Sequence, residues 1–173
     1  MLDLITTARL TLRPFASDDI DAAHAWFSDD SVMEYTPTGP DKSIDETRRR
    51  VAGYQEHQSR HGFSKWIVIE RSTGQPIGDS GLLVLKDEGF VDLGFRFATS
   101  SWGKGFATEV GRAWLKAAFE MHGLEALGAF VHPQNVASLR VLEKLGFARL
   151  RAGTAMGMEA VFFSFEKMAG SLE

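Results

Sequence analysis

Hydrophobic and polar residues alternate along several short stretches of the chain, the pattern of a strand with one buried face. In residues 8–15, Leu10 and Leu12 fall on one face, whereas arginine and threonine residues fall on the other. Because Pro14 cannot donate a hydrogen bond to a sheet, the first strand is expected to end there. Further strands are predicted at residues 65–71, 77–86, 90–98, 125–132, 147–151 and 159–165.

Other stretches repeat their hydrophobic residues every three to four positions, which predicts helices. The first helix follows N-cap candidates at residues 17–19 and carries Ile20, Ala23 and Phe27 on one face. Residues 28–43 are rich in Ser, Asp, Thr, Gly and Pro and are expected to form a loop. Three more helices are predicted, around residues 44–54 and over residues 107–121 and 135–145.

The order of the elements is strand, two helices, three strands, helix, strand, helix and two strands. The three central strands are predicted to form an antiparallel meander. A strand–helix–strand crossover follows the meander, so the sheet should be mixed. The predicted fold class is therefore an α/β (α+β) layer fold. No repeat or linker divides the chain, so residues 1–173 are expected to form a single domain.

Composition narrows the possible functions. The net charge of −4 argues against a dedicated nucleic-acid-binding protein, which would normally carry a basic surplus. The chain has no cysteine, which excludes thiolate zinc sites, cysteine nucleophiles and disulfide scaffolds. His57 and His61 have a spacing that could bind a metal ion, but no third ligand is evident, so no metal site is expected.

The sequence gives no indication of a membrane protein. No stretch approaches the roughly 18 consecutive apolar residues that a membrane helix needs. The first residues lack the basic region and long apolar stretch of a signal peptide. We therefore expect a soluble, cytoplasmic protein with no membrane partner.

A glycine-rich segment at residues 100–108 joins a predicted strand to a predicted helix. Gly103 and Gly105 permit unusual backbone angles, and the first turn of a helix leaves several amide N–H groups without partners. This arrangement can hold a phosphate group, with Lys104 adding positive charge. A simple turn before a helix is the alternative. The segment matches neither a P-loop nor the Rossmann fingerprint.

A second strand-to-helix connection, at residues 132–140, carries two more candidates. Asn135 is suited to cap the helix at its N-terminus, a purely structural role. Ser138 lies near the start of the same helix, where its hydroxyl could face the cleft formed with the glycine-rich segment.

These segments, in this order, resemble the GNAT superfamily of acyl-coenzyme A-dependent N-acetyltransferases. Residues 102–107 are similar to its pyrophosphate loop, of the general form Q/R-x-x-G-x-G/A, with Trp102 in place of Gln or Arg. Asn135-x-x-Ser138 followed by Leu-Gly-Phe is similar to its second motif. The opening residues 6–13 look most like the branch named for ribosomal-protein N-terminal acetyltransferases, the Rim type. The resemblance covers almost the whole chain. It implies a mostly antiparallel, twisted sheet with one splayed strand pair, flanked by helices.

The resemblance also implies a cofactor, acetyl-CoA, and residues that bind it. The pantetheine arm would lie between the splayed strands against the main chain of Phe95, Phe97 and Thr99, and the pyrophosphate against the glycine-rich loop. Asn135 and Ser138 would face the arm, and Arg140 would approach the adenosine phosphates. The cofactor-binding residues expected in the loop are Trp102, Gly103, Lys104, Gly105, Phe106, Ala107 and Thr108.

The reaction implied is attack of a neutral amine on a thioester, without an acyl-cysteine intermediate. Asp92 is the candidate base, at a position where this branch often has an acidic residue. The alternative is that Asp92 is only a polar residue on the solvent face of its strand and that a chain of water molecules serves as the base. Many relatives carry a tyrosine where this chain has Leu142. Ser138 or an ordered water is therefore the candidate proton donor to the thiolate.

The sequence gives little information about which amine accepts the acetyl group. Glu34 and Tyr35, in the predicted loop, are the candidates to contact a cationic amine. The expected acceptor is a protein or peptide α-amino group, or else a small amine, a polyamine or an amino-sugar antibiotic. An acyl-CoA-binding sensor without turnover is the alternative from another class. The chain could act as a monomer or a homodimer.

Overall fold

The computed structural model describes residues 3–168. Its helices and strands follow the predicted order, with two short additions, and single turns of 3₁₀-helix lie at Ser17–Asp19 and Thr99–Ser101. In chain order the elements are β1 (Ile5–Thr6), β2 (Leu10–Pro14), α1 (Ile20–Phe27), α2 (Asp30–Met33), α3 (Ile44–His61), β3 (Lys65–Glu70), β4 (Gln75–Leu85), β5 (Phe90–Phe97), α4 (Phe106–Glu120), β6 (Ala126–Val131), α5 (Val136–Leu145), β7 (Ala148–Ala155) and β8 (Met158–Glu166).

The strands of residues 3–168 form one sheet with the order β1-β2-β3-β4-β5-β6-β8-β7. Neighbouring strands are antiparallel except β5 and β6, which are parallel, so the predicted mixed sheet is confirmed. Within the described part of the chain, β5 and β6 pair at one position, Asp92 with Gly128. The two strands therefore part toward their carboxyl ends, and the gap between them interrupts the middle of the sheet.

Hydrophobic layers cover both faces of the sheet. On one face, α4 and α5 pack against the sheet, where the rings of Trp66 and Trp114 meet edge to face at 4.9 Å between centroids. On the other face, α1 to α3 enclose a second cluster that includes Trp26, Phe27 and Val51. β5 contacts both layers, through Leu93 and Phe97 on one face and through Arg96 over the Phe27 ring on the other.

Two short elements were not expected from the sequence. The loop predicted for residues 28–43 contains helix α2, because the Asp29 carboxylate accepts a hydrogen bond from the Ser31 amide at 2.8 Å and Met33 is buried. Strand β1 was missed because it consists of two residues, Ile5 and Thr6, too few to produce a periodic pattern.

Neither membrane-spanning helices nor metal-binding clusters occur within residues 3–168. No helix there is long and apolar enough to cross a membrane. No group of three or more His, Asp or Glu side chains there is arranged to hold a metal ion. His57 uses both ring nitrogens in the fold, since Nδ1 lies 2.8 Å from the Phe63 carbonyl oxygen and Nε2 accepts from the Val84 amide at 3.0 Å.

Candidate active site

A cleft of about 770 Å³ occupies the gap between β5 and β6. Its lining includes the amino-terminal turns of α4 and α5, strand β5, and residues of α2 and of the segment that follows it. A volume of this size lies within the range typical of ligand pockets. Most of the predicted site residues line it: Glu34, Tyr35, Asp92, Phe95, Phe97, Trp102, Gly103, Gly105, Phe106, Ala107, Thr108, Asn135, Ser138 and Arg140.

The glycine-rich loop forms one end of the cleft. Gly103 has φ +71° and Gly105 has φ +80°, left-handed angles that other residues adopt at a cost. Gly105 directly precedes α4, and its carbonyl oxygen accepts the first helical hydrogen bond, from the Glu109 amide at 3.1 Å. The amides of residues 106–108 therefore have no acceptor within the helix. These three residues line the cleft, where their amides and the positive end of the helix dipole favour an anion.

The backbone of β5 borders the cleft along its length. The Ala98 amide donates to the Ile77 carbonyl of β4 at 2.9 Å, and paired residues in an antiparallel ladder alternate in direction. The main-chain groups of Phe95 and Phe97 consequently face away from β4, toward the gap. The Phe97 carbonyl already accepts the indole N–H of Trp102 at 2.7 Å. The Phe97 amide and both main-chain groups of Phe95 are left facing the gap.

Asp92 lies where β5 and β6 part, and its side chain is 7% exposed. Burial raises the pKa of Asp92 to about 7, although the positive charge of Lys65 and the nearby main-chain amide of Phe130 on β6 act in the opposite direction. A carboxylate with this pKa can both accept and return a proton near neutral pH.

Lys65, which the sequence did not indicate as a site residue, is a buried cation near Asp92. Its side chain extends over Gly94 of β5 toward Asp92, so its charge acts on the carboxylate. A side chain at Gly94 would collide with the Lys65 ammonium group, so the glycine is what leaves room for it. Burial lowers the pKa of Lys65 to about 8, against the opposing effect of the Asp92 charge. Two buried titratable groups of opposite sign therefore line the cleft, and each shifts the pKa of the other.

A buried charge pair supports the same strand. Asp79 on β4 and Arg96 on β5 form an ion pair at 2.8 Å, and the Asp79 carboxylate is fully buried. Arg96 also donates to the Tyr54 hydroxyl at 2.8 Å, and the Trp26 indole donates to Asp79 at 3.0 Å. Although burial acts against it, the Asp79 charge raises the pKa of Arg96. The network ties α1 and α3 to the strand that carries Asp92.

The start of α5 borders the cleft opposite the glycine-rich loop. Asn135 caps this helix, since its side-chain oxygen accepts from the Ser138 amide at 3.2 Å. Arg140 and Lys144 lie one helical turn apart and both line the cleft, although only Arg140 was predicted. Leu142 is buried in the core.

Two of the predicted cofactor-binding residues do not line the cleft. Thr99 lies in a 3₁₀ turn, where its carbonyl accepts from the Trp102 amide at 3.1 Å. Lys104 is exposed, and its carbonyl accepts from the Arg9 guanidinium at 2.8 Å. The structure does not bring either residue together with the others, and their roles in cofactor binding stay predictions.

An aromatic contact lies beside the cleft. Tyr35, which follows α2, stacks on His132 at the end of β6, with 5.1 Å between ring centroids. The Nδ1 atom of His132 accepts from the Gln134 amide at 3.1 Å, which fixes the orientation of the imidazole. Glu34 precedes Tyr35 and adds a carboxylate to the lining.

Comparison with known sequences agrees with this geometry. Residues 9–148 match the family model described as "Acetyltransferase (GNAT) domain". The chain is 30% identical to the uncharacterized N-acetyltransferase YoaA of Bacillus subtilis, over 86% of this chain and 85% of that protein. It is 26% identical to the uncharacterized N-acetyltransferase p20 of Bacillus licheniformis, over 99% of this chain and 92% of that protein.

Solved structures resemble the fold over almost its whole length. An acetyltransferase of the GNAT family from Bacillus anthracis superimposes with a TM-score of 0.83 and 26% identity, covering 95% of this chain and 98% of that one. RimL, a ribosomal L7/L12 α-N-protein acetyltransferase solved with coenzyme A, gives a TM-score of 0.80 at 15% identity, covering 95% and 98% of the two chains. The spermidine N-acetyltransferase from Vibrio cholerae, solved with CoA and spermine, gives 0.75 at 20% identity, covering 92% and 96%.

The sequence matches and the splayed parallel pair in a mostly antiparallel sheet lead to one conclusion. The chain belongs to the GNAT family of N-acetyltransferases.

Proposed function

We propose that this protein transfers an acetyl group from acetyl-CoA to a primary amine by direct attack. The observation that carries the proposal is the cleft itself, which has an anion-binding helix terminus at one end and a buried carboxylate of near-neutral pKa at the other. The GNAT family uses acetyl-CoA, and two proteins of similar fold were solved with CoA.

The phosphate end fits the cofactor by its chemistry. The unpaired amides of residues 106–108 would hold the pyrophosphate, and Arg140 and Lys144 would neutralise further phosphate charge. The main chain of Phe95 would pair with the pantetheine arm across the gap. When bound, acetyl-CoA supplies the activated acetyl thioester.

At the catalytic end, Asp92 acts as the base. Its pKa of about 7 leaves a substantial ionised fraction at neutral pH, which can take the proton from the incoming ammonium group directly or through one water. Lys65 keeps this fraction ionised by its charge. A main-chain N–H of β5 facing the gap would stabilise the oxyanion, and Ser138 or an ordered water would protonate the departing thiolate.

The acceptor is expected to approach past Glu34 and the Tyr35–His132 stack. A carboxylate beside an aromatic face suits a cationic amine, by ion pairing and by cation–π attraction. The first candidate is a protein or peptide α-amino group, as RimL is described to modify, and the second is a polyamine or other small amine. We place the reaction in the cytoplasm, with the chain acting as a monomer or homodimer.

Measuring free-thiol release from acetyl-CoA across a panel of peptides, polyamines and amino sugars tests the proposal. We expect saturable acetyl-CoA binding and release stimulated by one class of amine. Binding without release on any acceptor would favour an acyl-CoA sensor, whose supporting observation is Leu142 in place of a tyrosine. Absence of binding would overturn the assignment of the cleft.

A further inference from the structure

The amino-terminal segment of residues 7–10 reaches the glycine-rich loop from the side opposite the cleft. The Arg9 guanidinium donates to the Lys104 carbonyl at 2.8 Å through Nη1. Its Nε and Nη2 atoms lie 2.8 and 2.7 Å from the same carboxylate oxygen of Glu109, in the first turns of α4. The guanidinium also lies 4.4 Å above the centre of the Phe106 ring. One side chain therefore contacts three positions that surround Gly105.

Glu109 is held on this segment by further bonds. Its carboxylate accepts from the Thr7 hydroxyl at 2.6 Å and from the Arg9 amide at 2.9 Å. Although burial acts against it, these hydrogen bonds and the Arg9 charge hold the pKa of Glu109 below its usual range. Glu109 is thus an anion in the first turn of α4, close to the amides that would bind the cofactor. Arg9 neutralises this charge from the side of the loop that faces away from the cleft.

Packing around the glycines does not by itself define the shape of this loop. A side chain at Gly103 would meet no atom within 4 Å, and at Gly105 the nearest atom is Nη2 of Arg9, at 3.6 Å. A loop with two glycines has many accessible backbone states, and ordering it on binding costs affinity. The Arg9 contacts to Lys104, Phe106 and Glu109 remove part of that cost before a ligand arrives.

We propose that Arg9 is a positioning residue for the cofactor's pyrophosphate. It acts through the loop and through Glu109 and does not touch the ligand, because it lines the groove behind the loop and not the cleft. The planar guanidinium can bond the carboxylate and the carbonyl at the same time, which a lysine ammonium cannot do in this geometry. This inference rests on the proposed function, in which the loop binds the pyrophosphate of acetyl-CoA.

The test compares donors with and without a pyrophosphate. We expect Arg9→Met to weaken binding of both CoA and dephospho-CoA by about tenfold or more. The kcat/KM for S-acetylpantetheine, which lacks the pyrophosphate, should stay within about twofold of wild type. Arg9→Lys should bind CoA nearly as weakly as Arg9→Met. A defect confined to pyrophosphate-containing ligands is not expected from a general loss of structure.

Arg71 offers a matched control. Its guanidinium donates to the Thr7 and Ala8 carbonyls at 2.9 and 3.2 Å, so it supports the same segment without reaching the loop. We expect Arg71→Met to bind CoA within about twofold of wild type.

The role of Arg9 would be overturned if Arg9→Met bound CoA with wild-type affinity, or if Arg71→Met lost as much CoA affinity as Arg9→Met. Wild-type CoA affinity in Arg9→Lys would also overturn it, because it would point to an effect of long-range charge. Failure of the wild-type protein to bind CoA is a separate outcome, because it would overturn the proposed function as well.

Discussion

The two ends of the cleft are built in different ways. The phosphate end consists mainly of main-chain amides at the start of α4, presented by glycines with left-handed angles and open surroundings. The catalytic end consists of buried side chains, Asp92 and Lys65, whose pKa values are shifted toward neutrality by burial. The first arrangement binds an anion at any ordinary pH, whereas the second depends on protonation. Changes at the two ends should therefore separate binding from chemistry.

The largest effect is expected at the phosphate end. Gly105→Glu puts a residue that resists the left-handed angle at the start of α4 and adds a negative charge beside the amides that would hold the pyrophosphate, so CoA affinity should fall by more than about a hundredfold. Calorimetric titration with CoA measures the loss. Gly89→Glu is the control, because Gly89 also has a left-handed angle and open surroundings but lies in the β4–β5 turn. Equal CoA affinity in both variants would contradict the phosphate cradle.

At the catalytic end, Asp92→Asn should lower kcat by about 10²- to 10⁴-fold, the usual contribution of a general base. The substitution keeps the size of the side chain and removes only its charge, so the strand geometry and the affinity for CoA should change little. Steady-state rates from pH 6 to 9, with CoA affinity measured beside them, check this. Retention of full turnover across that range would remove Asp92 as the base.

Lys65→Met should change the pH dependence of catalysis and leave the phosphate end of the cleft intact. Asp92 works when ionised, so kcat/KM should rise with pH through about 7 in the wild type. Removing the neighbouring cation raises the pKa of Asp92 further, which moves this rise to higher pH by about one unit or more. Because both proteins are assayed with the same amine, the acceptor's own titration cancels in the difference. An unshifted profile would show that Lys65 does not act on the base.

The smallest effect is expected at the acceptor side. Glu34→Gln removes one carboxylate from the rim of the cleft and should raise the KM for a cationic amine about two- to fivefold, with kcat nearly unchanged. The KM for acetyl-CoA in the same assays is the internal reference. A fall in kcat with no change in the acceptor KM would place Glu34 in the chemistry and not in recognition.

The two ends also differ in how far the sequence could predict them. The glycine-rich loop and the Asn135 cap are local patterns, and the structure places them at the starts of α4 and α5 as expected. The approach of Lys65 to Asp92 depends on a register across three strands, in which Gly94 leaves room for the ammonium group. No spacing in the sequence reports such a proximity, because the two residues lie on separate strands that pair only in the folded sheet.

Other parts of the molecule were predictable to the extent that they depend on local sequence patterns. Arg9 and Glu109 are 100 residues apart, so a motif that contained Arg9 gave no indication of its partner. The strand prediction over residues 90–98 was accurate because alternation and turns are local signals, and β5 spans Phe90–Phe97. The short helix α2 depended on one capping carboxylate and one buried methionine, which a pattern of this length does not reveal.

The most direct test of the central claim is a single-turnover measurement. Enzyme saturated with acetyl-CoA is mixed with the best amine acceptor from the panel, and the acetylated product is followed over time in wild type and Asp92→Asn. Saturation removes any difference in cofactor affinity, so the rate reports chemistry at the catalytic end of the cleft. We predict rapid product formation by the wild type and a rate lower by about a hundredfold or more in the variant. Equal rates in the two proteins would contradict the account.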